Sequence, residues 1–241
     1  MNWIILYIIS FALIVLNISL GYVFGKKAND VFETNSNHKL KSEISCENLI
    51  MLLLQNYNLS SFTAVVRRNA KKNNYFSLCF NAIKLSPTIL DSSAVFSLSY
   101  GTLMSYKANY LKTNPICSFA KLILTNISKF IFVLFIPVVL ICSILNIIFG
   151  ISNIPFLIFL IFLCLYFAFF VIDIIIYLLS ISKINKIITS LKVLNLFSDE
   201  DLKIFKSHII AFYRLDFFNE STSTFNFTKL LSPAIIFDRN N

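Results

Sequence analysis

Histidine and acidic side chains are missing where chemistry would need them. The chain has two histidines, His38 and His208, and no acid stands between Asp91 and Asp173. The middle of the sequence therefore has neither the carboxylate pairs used in acid-base catalysis nor the imidazole sets that bind zinc. Charge is sparse throughout, at 14% of 241 residues against 57% hydrophobic, where a soluble domain carries about 25%. That excludes an ordinary soluble domain and points to a membrane. None of the five cysteines, Cys46, Cys79, Cys117, Cys142 and Cys164, forms a C-x-x-C pair, so a zinc knuckle is not supported. Reduced thiols are expected, with Cys142 and Cys164 as small apolar packers. The densest basic cluster, "VVRRNAKK" at 65 to 72, has no interleaved aromatics to stack bases, and nucleic acid is not an expected partner.

Long uncharged runs make up much of the rest. Residues 3 to 24 carry no charge and as a helix reach roughly 33 Å, enough to cross the hydrocarbon core. A cleaved signal peptide is the competing reading, but the run has neither a basic segment before it nor an A-x-A site after it. A second predicted span covers 130 to 149, with Pro137 inside. A third covers 154 to 181 and carries a single charge, Asp173. Only Gly150 to Asn153 separates them, so they form a hairpin. Thirteen basic residues face five acids between Lys26 and Lys129, eight face six from Lys183 on, and residues 150 to 153 carry no charge. The positive-inside rule then places the N-terminus and the hairpin turn outside and the polar regions in the cytoplasm, at the cell membrane.

The expected fold is a mainly α integral membrane protein. It has three transmembrane helices (3–24, 130–149, 154–181), a small α+β cytoplasmic region at 25–129, and two amphipathic helices with a tail at 182–241. In the cytoplasmic region Ser45 caps a helix through "CENLIMLLLQNY", whose apolar block serves as core or lies on the membrane. "FTAVV" and "YFSLCFNAIKL" read as two strands. A helix is predicted to begin at Ser86-Pro87 and run through "FSLSYGTLMSYKANY". After the third span, "KINKIITSLKVLNLF" has one apolar face, and Ser198 with Asp201 makes a capping-box start for the next helix. These two helices pack on the cytoplasmic region or on the membrane surface. After Asn219 a loop is expected.

The order of parts resembles the YugP-like bacterial membrane zinc metallopeptidases over roughly residues 3 to 215. The matching features are "SEISCENLIMLLLQNYNL" at 42 to 59, "NNYF" at 73 to 76, "IKLSP" at 83 to 87, the two-span hairpin and "LFSDED" at 196 to 201. The resemblance implies a His-Glu-x-x-His helix after the Leu-Ser-Pro element, in which two imidazoles hold zinc and the glutamate takes a proton from the bound water. The first histidine would fall within Tyr100 to Leu103, including Gly101, and the second within Met104 to Lys107. The family's carboxylate ligand would fall at Leu179 or Ser180. None of these positions holds a ligand or a base. The resemblance thus implies a degenerate site, no metal or other cofactor, and a catalytically inactive pseudopeptidase that binds or scaffolds. Its partners would be the lipid bilayer and another membrane protein or a second copy. Two other readings remain: an unrelated small subunit of a membrane complex, and a peptidase with rewired ligands. Asp173 is a candidate buried polar site, read as paired with Lys129 or hydrogen-bonded to Tyr177.

Overall fold

The computed structural model describes residues 3–35, 43–59, 61, 63–66, 75–77, 82–149 and 153–222. It is mostly helical. In chain order the elements are α1 (Trp3–Asn35), α2 (Cys46–Asn56), β1 (Thr63–Val66), β2 (Tyr75–Ser77), β3 (Ala82–Leu85), α3 (Pro87–Leu90), α4 (Val95–Thr113), α5 (Pro115–Phe149), α6 (Asn153–Ser182), α7 (Ile184–Val193) and α8 (Asp199–Thr222). They form two compact units. One draws on Met1–Lys27, Phe119–Leu179 and Arg214–Asn241, the other on Ala28–Ser118 and Ser180–Tyr213.

The first unit is apolar outside as well as inside. Ile5, Ile8, Phe11 and Leu16 of α1 and Leu157, Ile161, Phe167 and Leu178 of α6 are exposed, the reverse of what water selects and what a lipid solvent permits. Two helical stretches, Ile5–Thr34 and Leu157–Val193, are long and apolar enough to cross a membrane. The interior of this unit packs Leu6, Ile131, Phe135, Cys142, Phe159, Leu163 and Tyr166. Three contacts set the direction of α1 against α6. The rings of Tyr7 and Phe159 lie 5.0 Å apart, Asn17 Nδ2 donates to Tyr166 Oη at 3.0 Å, and Phe24 stacks on Tyr177 at 5.2 Å. Residue numbers rise together along both helices, so α1 and α6 run parallel. From α5, Phe135 stacks on Tyr166 at 4.6 Å.

The second unit has an ordinary core. Cys46, Leu49, Ile50, Leu53 and Leu54 form the buried stripe of α2, at the i, i+3, i+4, i+7 spacing of a helix with one apolar face. Ile187 and Leu191 of α7 are buried too, and Leu191, Leu202 and Phe205 join the α2 residues in one cluster. The apolar faces of α2 and α7 are therefore core, which settles an alternative that the residues alone left open. The sheet has the order β1-β3-β2. Its strand β1 pairs parallel with β3, Thr63 opposite Ala82, and β2 pairs antiparallel, Ser77 opposite Ala82.

Several helix and strand limits differ from the sequence reading. The segment "YFSLCFNAIKL" is two paired strands, because Tyr75–Ser77 folds back on β3. The predicted helix at Pro87 lasts one turn; Ser92 Oγ then accepts from Ala94 N at 3.1 Å and Ser92 O from Cys46 N at 3.0 Å. Those bonds hold 91 to 94 off the helix, and α4 starts afresh at Val95. Helix α1 continues to Asn35, α5 begins at Pro115 rather than near 130, and α8 extends to Thr222, beyond the loop expected after Asn219.

Candidate functional site

Helix α4 carries the positions where the resemblance places metal ligands, and it is enclosed by protein. Val95, Ser97, Leu98, Ser99, Gly101, Thr102, Leu103, Met104, Ser105 and Ala108 are buried, which covers nearly every direction around the helix axis. At Gly101 the approach of α2 is closest. A Cβ there would stand 2.5 Å from Cys46 Sγ and 3.0 Å from Ile50 Cγ1, so glycine is required for contact and not for backbone freedom. Cys46 Sγ in turn donates to Ser97 O at 3.1 Å.

The hydroxyls that could face a substrate mostly bond to their own helix. Thr102 Oγ1 donates to Leu98 O at 2.8 Å and Ser105 Oγ to Gly101 O at 2.9 Å. Leu103 and Met104 are core side chains, while Tyr100 and Lys107 are half-buried. Tyr100 lies 5.2 Å from the ring of Phe212. Ser180 is buried and Leu179 is 57% exposed. Ser180 belongs to the same unit as α4, whereas the half-buried Asp173 belongs to the other. Lys183, which follows α6 and precedes α7, holds its Nζ 3.5 Å above the ring of Tyr110 in α4.

Electrostatics around α4 favour neutral groups. Burial pushes the Cys46 thiol up to about 12, although Cys46 opens a helix, where thiolates are usually favoured. Burial also raises the Tyr57 phenol, partly offset by its bond to Ser190 Oγ at 2.8 Å, and the Tyr106 phenol. Among the described residues no three His, Cys, Asp or Glu side chains are grouped so as to hold a metal ion. Cys117 is exposed; His38, Cys79 and the side chain of Lys129 lie outside the described residues.

His208, the second of the two histidines, lies on α8. It is fully buried. Its Nδ1–H donates to Ile204 O at 3.0 Å. It joins an aromatic cluster in which Phe32 contacts Phe96 at 5.1 Å, His208 at 5.7 Å and Phe212 at 4.9 Å. The sequence reading did not find this cluster. Its signal was Phe205, His208, Ile209 and Phe212 at i, i+3, i+4 and i+7 of α8.

No protein-family model, curated protein or solved structure matches the chain.

Proposed function

We propose that the protein is a catalytically silent membrane protein, a relative of the YugP-like peptidases in which the helix of the former site serves packing, and that it acts by binding or scaffolding in the cell membrane. The observation that carries this reading is the enclosure of α4. An imidazole at 101 would overlap Cys46 and Ile50, and the hydroxyls at 102 and 105 are bonded within the helix.

The reading includes three membrane crossings. Support comes from the parallel course of α1 and α6. If both span, α1 ends on the side opposite to the one where α6 begins, so the chain crosses once between them. The uncharged part of α5, from Phe130 to Phe149, has the composition for that crossing. The lysines near the ends of the apolar runs, Lys26 and Lys27, Lys121, and Lys183 and Lys186, orient the N-terminus outward.

The test is elemental analysis of detergent-purified protein together with a peptide-cleavage assay. The expected result is zinc well below one per chain, no cleavage, and thermal unfolding unchanged by chelator. A near-stoichiometric zinc, lost with peptidase activity on chelation and restored by adding zinc, contradicts it, because a catalytic zinc needs three protein ligands and a base within hydrogen-bond reach.

A further inference from the structure

We infer that the first turns of α5, Ile116 to Ile127, are an amphipathic segment seated in the anionic headgroup layer of the cytoplasmic leaflet. The inference rests on the membrane reading proposed above. Ile116, Ile123, Ile127, Phe130, Ile141 and Ile148 of α5 are all exposed, Ile116 at 83%. At about 3.6 residues per turn they fall within roughly 60° around the axis, so they form one stripe along the whole helix. Water does not select such a stripe, and lipid does. Ser118 and Lys121 fall on the opposite side of α5, which is the division of polar and apolar faces found in interfacial helices.

The stripe is too long for the hydrocarbon core alone. Large exposed apolar side chains run from Ile5 to Val23 on α1 and from Leu157 to Leu179 on α6, about 27 and 33 Å at ~1.5 Å per residue, close to the ~30 Å of the core. On α5 they run from Ile116 to Ile148, about 48 Å. Helix α5 ends at Phe149 and α6 begins at Asn153, so the two stripes start together at the turn. The surplus of about 18 Å therefore lies at the other end of α5, before Phe130. An upright helix would carry Ile116 past a headgroup layer of about 5 to 8 Å, whereas a leaning one keeps it in the layer. Charge selects the lipid. From Ser92 to Ile172 the chain has Lys107, Lys112, Lys121 and Lys129 and no acid. Anionic headgroups complement that charge, while pairing this segment with its equivalent in a second copy brings like charges together.

The test reads depth in the full-length chain, reconstituted in vesicles from a cysteine-free background that still inserts. A fluorophore is attached through Ile116→Cys, through Ile123→Cys or, as a control on the exposed face of α6, through Phe167→Cys. It is quenched either by brominated lipid or by aqueous iodide. In vesicles of phosphatidylcholine with phosphatidylglycerol, the labels at 116 and 123 are expected to lose iodide quenching and to be quenched by brominated lipid as the label at 167 is. In phosphatidylcholine alone, lipid quenching at 116 is expected to fall while that at 167 stays the same. Iodide quenching at 116 and 123 with the label at 167 in lipid overturns the inference and leaves the membrane reading intact. An aqueous label at 167 overturns that reading, and the inference with it. Labels at 116 and 123 that neither quencher reaches mean that a protein surface covers the stripe, which overturns the inference as well. Equal lipid quenching at 116 in both kinds of vesicle overturns the assignment to anionic lipid.

Discussion

Gly101 sets how closely α2 lies on α4. Adding one methyl places a carbon 2.5 Å from Cys46 Sγ, and a buried overlap of that kind costs about 1 to 3 kcal/mol. Gly101→Ala is therefore expected to lower the unfolding midpoint, and Cys46→Ala in the same chain to recover part of the loss by removing the sulfur. The recovery is partial because Ile50 stays within 3.0 Å. Strictly additive losses in the double-mutant cycle would mean that the two residues do not press on each other. Cys46 also makes an alkaline prediction. Its thiol ionises near 9 when unfolded and near 12 when folded, so above pH 9 the native state holds a proton that the unfolded state has released. Stability is fully present below about pH 9 and falls toward pH 12, by at most about 1.4 kcal/mol per pH unit. Denaturant titrations across that range should show a shallower decline in Cys46→Ala. Nothing in the residues beside Gly101 shows why a glycine stands there. What makes it necessary is a contact with a residue more than fifty positions earlier, and no local pattern encodes that.

At the scale of elements, the features legible in sequence were those whose partners are close along the chain. Ser45 Oγ accepts from Asn48 N at 3.3 Å, as its place before α2 implied. Ser198 and Asp201 form the expected reciprocal box: Asp201 N donates to Ser198 Oγ at 3.2 Å, and Ser198 N to Asp201 Oδ2 at 3.1 Å. Losing such a cap costs about 1 kcal/mol. Ser198→Ala should reduce stability by that amount and speed amide exchange in the first turn of α8; an unaltered exchange rate there would show that the box is dispensable. The pairing of β2 on β3 and the break before α4 were not legible. Strand register depends on a fold-back, and the break depends on Cys46 N reaching Ser92 O from another element. The candidate site was legible only in outline. The missing histidines and acids showed what α4 lacks, but its enclosure and the aromatic cluster around Phe32 arise from packing by α1, α2 and α8.

For the whole molecule, the membrane expected from composition is matched by two helices long and apolar enough to cross one and by the apolar outer faces of the first unit. The direction of α1 relative to α6 could not be read from composition; it comes from Tyr7, Asn17 and Phe24 meeting Phe159, Tyr166 and Tyr177 in order. The proposed topology has three crossings, with α4 on the cytoplasmic side and the 150 to 153 turn outside. Labelling single cysteines in intact cells with a membrane-impermeant thiol reagent tests this most directly, starting from a cysteine-free background that still inserts. Ser152→Cys should be labelled, and Ser77→Cys only after the membrane is opened. Labelling of Ser77→Cys in intact cells, with Ser152→Cys protected, would contradict the account.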